Sequence, residues 1–172
     1  MEEPLLAWHD FYVALVTAAA ALLGLLFVAL SIHIRTLIQP RNAELRSVAR
    51  TVFLGYVVGL AIGFLALLPQ TLRALGSELV VLTVATSLPF AAAARAGLRA
   101  TGVGYSRAVT IGQFIAGFVL VAITLFGSIG VFVEEPNALY VIAAVAVLGL
   151  LWGVFNTWEL IFRIQWVGRE AP

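Results

Sequence analysis

Charged positions interrupt this chain rarely, and between them lie five long runs without Asp, Glu, Lys or Arg: 11–34, 51–72, 79–94, 108–133 and 136–158. A helix rises about 1.5 Å per residue and a bilayer's hydrocarbon core is about 30 Å thick, so about 20 apolar residues cross it. Four runs reach that length. The third, sixteen residues between Glu78 and Arg95, is short, and its flanking charges reach the interfaces by snorkelling or by local thinning of the bilayer. The pattern predicts an all-α integral membrane protein, a single transmembrane domain over 1–172. Its bundle of about five helices has the last one carried on to about 162.

Composition agrees with that reading. The chain has 172 residues, 62% hydrophobic and 11% charged, whereas an ordinary soluble domain carries about 25% charged residues. A net charge of +1 excludes the broad basic surface that nucleic-acid binding needs. Without cysteine there is no disulfide, thiolate nucleophile or cysteine-ligated metal. All ten basic residues are arginine, a bias that points to GC-rich coding and a bacterial source.

The arginines also test the number of spans. With five, Arg35, Arg41, Arg46, Arg50, Arg95, Arg99, Arg107, Arg163 and Arg169 share one side, and the other receives Arg73 with Glu2, Glu3, Asp10, Glu78, Glu134 and Glu135. The positive-inside rule then sets the N-terminus outside and the C-terminus in the cytoplasm of a plasma membrane. Dropping the third span would scatter the arginines to both sides. An acidic start and a long first apolar block argue against a cleavable signal peptide. Trp8, Phe11, Tyr12 and Tyr140 suit an outer aromatic belt and Trp158 an inner one. Asp10 and Asn137 are positioned as helix N-caps, and a short interfacial helix is expected after Pro40.

Three residue patterns carry candidate function. Gly55, Gly59 and Gly63 recur every four residues along the second span, as do Gly149 and Gly153 in the fifth, and such spacing lets another helix approach closely. In the third span Thr83, Thr86 and Ser87 form a hydroxyl stripe ahead of Pro89, where hydroxyls are expected to satisfy the carbonyl freed at Ala85. His33, Tyr56, Gln113, Asn156 and Glu159 lie near the arginine-bearing ends of four spans, a polar rim or vestibule at one depth, because leaving such groups in lipid is costly. Glu159 also stands four residues before Arg163, at ion-pair spacing. No catalytic motif is present, and the two histidines are about 36 Å apart along the first helix, so no catalytic residue, metal or cofactor is expected.

The block WHDFYVALVTAAAALLGLLFVALSI, over about the first 34 residues, resembles the start of a family of small, functionally uncharacterised bacterial multi-span membrane proteins. Their aromatic–acid–Phe–aromatic entry leads into an Ala/Gly-rich helix ending in a GLLFVALSI-like run. The resemblance implies a bacterial plasma-membrane location and transfers no site residues. The expected function is non-enzymatic assembly in the lipid bilayer, with a second copy or a membrane-protein partner. The alternative is a small oligomeric ion channel or transporter using the polar vestibule.

Overall fold

The computed structural model describes residues 3–39, 42–99 and 107–169; Glu2, Pro40 and Arg41 lie outside them. Helices α1 (Glu3–Ala7), α2 (His9–Ile32), α3 (Ile34–Leu37), α4 (Ala43–Leu67), α5 (Leu72–Arg99), α6 (Arg107–Phe132) and α7 (Ala138–Arg169) account for nearly all of these residues. Five of the helices are long and apolar enough to cross a membrane. The third of those differs from its expected length. It runs over Leu72–Ala96, because charge at its start does not end the helix: Leu72, Leu75 and Leu79 are buried on one face, while Glu78 accepts a hydrogen bond from Gln70 Nε2 at 3.0 Å.

Helices α4, α5, α6 and α7 pack in succession, and α7 returns to α4, closing a ring of four. Helix α2 lies outside the ring against α4, its residues facing largely outward. Trp8 meets Tyr140 edge-on with ring centroids 4.7 Å apart, tying the start of α2 to the start of α7.

The connections explain where helices stop. Pro69 cannot donate into a helix, and Gln70 Nε2 caps the end of α4 by donating to Leu65 O at 2.7 Å. Thr71 Oγ1 then accepts from Ala74 N at 3.2 Å, an N-cap for α5. The α6–α7 turn uses Glu134 at φ 65°, a left-handed helix ending, with Asn137 Nδ2 donating to Glu135 Oε1 at 2.8 Å. Among the described residues no helix N–H donates to Asn137 Oδ1; the side-chain acceptor at this turn is Glu135 Oε1, which also takes the Asn137 backbone N–H at 3.3 Å. Asp10 does not cap α2 either: Trp8 holds the N-cap position and Asp10 sits inside the first turn, where its charge suits the helix dipole. The short helix expected after Pro40 lies before it, as α3, and α4 begins almost at once. Arg46 fixes this corner by donating to the carbonyls of Leu37, Ile38 and Gln39 at 3.3, 3.0 and 3.1 Å.

A chamber inside the helix ring

The four-helix ring is not filled. A cavity of about 150 Å³ runs between α4, α5, α6 and α7. Each helix gives it a face of small or polar residues at helical spacing. Helix α4 presents Thr51, Gly55 and Gly59; α5 presents Thr83 and Thr86; α6 presents Gln113, Gly117 and Thr124; α7 presents Gly149, Gly153 and Asn156. Among the described residues no charged side chain and no histidine lines the chamber.

The glycines do two different jobs. A Cβ at Gly55 or Gly149 would meet nothing within 4 Å, so these two widen the chamber and bring no helices together. Gly59 approaches Leu150 of α7, whose Cδ2 would lie 3.3 Å from an added Cβ, and Gly63 receives Val16 of α2 at 2.5 Å. Gly153 makes room for the ring of Tyr56, with Cε1 at 2.5 Å from the same construction. Three of the five glycines thus serve packing within one subunit.

The closest backbone approach, and another tight contact, lie elsewhere. At Gly76 an added Cβ would strike the backbone of Phe132, joining α5 to the end of α6, and Gly130 faces Ala138 Cβ at 2.7 Å. Neither position stands out in sequence, since each belongs to no run of glycines spaced by four. Gly117 is filled from the neighbouring α5 by Phe90, whose ring meets Phe118 at 4.9 Å between centroids.

Hydroxyls in the chamber wall are turned back on their own helices. Thr51 donates to Ser47 O at 3.0 Å, and Thr83, Thr86 and Thr124 donate to Leu79 O, Leu82 O and Leu120 O, each at 2.7 Å. Their oxygens keep acceptor lone pairs. Ser87 bonds Val84 O at 2.7 Å and is not in the wall, so the stripe divides. None of the three reaches Ala85 O. A helical Ser or Thr bonds the carbonyl three or four residues back, so that acceptor needs a hydroxyl at 88 or 89, and those positions are leucine and proline.

The five rim residues also part company. Gln113 and Asn156 line the chamber. Asn156 is buried, with Nδ2 donating to Trp152 O at 2.7 Å. Tyr56 is buried behind the wall, its hydroxyl 3.1 Å from Thr157 Oγ1. Glu159 stands 4.0 Å from Arg163 on its own helix, and His33 occupies the α2–α3 junction; neither lines the chamber. Among the described residues no group of three His, Cys, Asp or Glu could hold a metal ion. Thr51, Thr124, Trp152 and Phe90 join the wall without having been singled out. The signal for Thr124 was available: Gln113, Gly117 and Thr124 share one face of α6.

No protein-family model, curated protein or solved structure matches the chain.

Proposed function

We propose that the protein is a non-enzymatic, multi-pass protein of a bacterial plasma membrane, with its N-terminus outside and its C-terminus cytoplasmic, and that it works by holding an uncharged guest in the chamber. The chamber carries this reading. Protein interiors are packed as densely as organic crystals, with few voids larger than a water molecule, and a vacant one costs roughly 24 cal/mol per Å³. A space of about 150 Å³ walled by glycines from three helices and partly open to its surroundings departs from that packing and leaves room for something to enter. The nine-to-one arginine distribution supports the orientation.

An uncharged aryl diazirine of benzene size, photolysed with the protein in lipid nanodiscs, tests the reading. Labelling is expected at wall positions of α6 and α7, such as Leu120 and Trp152, in addition to the lipid-facing Phe126 and Leu151. Gly149→Leu should suppress the wall labels and leave Phe126 and Leu151 unchanged. Labelling of the lipid face alone would refute it.

Assembly keeps one specific observation in its favour. Ala14, Ala18, Ala21 and Gly24 form a row on α2 that stays exposed, the small-residue surface that membrane helices use to associate. This second reading predicts a dimer in mild detergent that Ala18→Leu dissociates; a monomeric wild type removes it. Ion passage gains less, since neither Glu159 nor His33 faces the chamber.

A further inference from the structure

We infer that the guest is a neutral, single-ring phenol, its hydroxyl donating to the polar groups around Gly55 and its ring lying in the open space toward Gly149. The inference rests on the chamber's being a binding site and adds the chemistry of what binds.

Size limits the guest. The chamber measures about 150 Å³, and an interior cavity of about that volume takes one benzene ring. The wall is bare at Gly55 and Gly149, where an added Cβ would meet nothing within 4 Å. Tyr56 packs on Gly153 and Leu150 on Gly59, and this antiparallel register puts Gly55 level with Val154. From there to Gly149 is about 7.5 Å of helix, the reach of one substituted ring.

Acceptors collect at the Gly55 end. Ser47 donates to Ala93 O, and the hairpin joins Leu67 to Leu72. The antiparallel register these two points share sets Gly55 level with Ala85, beside Thr86. On α7 the same level falls at Val154, half a turn from Asn156. Thr86 and Asn156 thus flank the bare wall from the two helices packed against α4, and both line the chamber. Thr86 spends its proton on Leu82 O and Asn156 spends one N–H on Trp152 O. Thr86 Oγ1 and Asn156 Oδ1 keep lone pairs that accept a hydrogen bond. A guest with one O–H matches this end.

The far end favours an aromatic ring over a saturated one. Thr83 and Thr124 line the wall there, and their protons are bonded to Leu79 O and Leu120 O, so they too offer lone pairs. An aromatic ring carries a positive edge, which suits oxygen lone pairs around its rim, whereas a saturated ring has no such edge. Phe90, Phe114 and Trp152 in the wall add ring-to-ring contact. Charge sets the protonation state. Among the described residues no charged side chain lines the chamber, so a phenolate or carboxylate would be desolvated without a counter-charge, a large penalty.

The test uses the full chain in nanodiscs and the benzene-sized aryl diazirine, with wall labels at Leu120 and Trp152 read against lipid-facing Phe126 and Leu151. Phenol, at a pH where it is un-ionised, should displace the wall labels saturably and leave the lipid-facing ones unchanged. Toluene and anisole, matched for concentration in the bilayer, should compete roughly three- to tenfold less well, the worth of one neutral hydrogen bond. Cyclohexanol keeps the hydroxyl and loses the aromatic edge, and should compete about threefold less well. Ionised benzoate should not compete. Equal competition by toluene, anisole or cyclohexanol overturns the inference, as does competition by benzoate. Thr86→Val combined with Asn156→Leu should bring phenol level with toluene, and a phenol preference that survives both substitutions also overturns it. The competition arms need only wild type, so a variant that fails to fold does not shield the inference. If the diazirine labels the wall and phenol does not displace it, the inference falls and the binding function stands; if no wall label forms, both fall.

Discussion

Replacing Gly149 and Gly153 by leucine, one at a time, separates the two uses of glycine in this bundle. They lie one turn apart on α7 and read identically in sequence. At Gly149 the new side chain enters open space. Applied to the whole 150 Å³, a cavity coefficient of about 24 cal/mol per Å³ sets a ceiling near 3.6 kcal/mol on what filling can return. One leucine filling about half of it contributes on the order of 1.5–2 kcal/mol by the same coefficient. Replacing a helical glycine adds up to about 1 kcal/mol. At about 2–4 °C per kcal/mol for a chain of this size, Gly149→Leu should raise the Tm by roughly 5–10 °C in delipidated detergent. At Gly153 the Cβ alone would stand 2.5 Å from Tyr56 Cε1 and 3.0 Å from Cζ. Overpacking of that kind costs about 1–3 kcal/mol, and moving Tyr56 breaks its hydrogen bond to Thr157, worth about 0.5–1.5 kcal/mol more. Gly153→Leu should therefore lower the Tm by several degrees. The readout is intrinsic tryptophan fluorescence or calorimetry on matched samples. Equal destabilisation by both variants would mean that no open chamber exists beside Gly149, and the binding reading would go with it.

Gly76→Ala should lower the Tm by several degrees in the same assay, because the added methyl meets the Phe132 backbone, which cannot swing aside like a side-chain tip; an unchanged Tm would deny that contact. Tyr56→Phe, which removes only the hydroxyl bonded to Thr157, should cost about 0.5–1.5 kcal/mol and a few degrees, and no change would show the bond to be unformed. A reporter fused after Pro172 should read cytoplasmic and one inserted between Glu135 and Pro136 should read outside; both on one side would remove the fifth span and the orientation with it.

Element positions were legible because they depend on one-dimensional quantities. A run of apolar residues long enough to span lipid declares a helix, and the arginine distribution is consistent with five such helices. The ends were less legible where charge and structure part. The run starting at 79 missed about two turns of α5, since Glu78 is accommodated by Gln70 and the buried row Leu72, Leu75 and Leu79 continues past it. Close contacts such as Gly76 with Phe132 were not legible at all, because a single glycine carries no periodicity and its partner is set by where α6 happens to end.

The chamber shows what a linear reading leaves open. Its wall combines three signals that stand apart in the sequence: the glycines of α4 and α7, the hydroxyls of α5 and the carboxamides of α6 and α7. Each had an ordinary structural meaning in isolation. Glycine in a membrane helix removes a side chain, and whether that gives closeness or room depends on what stands opposite. Val16 fills the space at Gly63, Tyr56 fills it at Gly153, and nothing fills it at Gly55 or Gly149. Spacing of four is identical in all of these, so only the arrangement of the partner helices decides. A hydroxyl carries the same ambiguity: Thr83, Thr86 and Ser87 all bond back to their own helix, yet the first two turn their lone pairs to a shared interior and the third does not. Convergence is the property that distinguishes a site from a stripe, since one stripe of small residues is satisfied by a neighbour, whereas four facing one another leave a volume that none of them can fill.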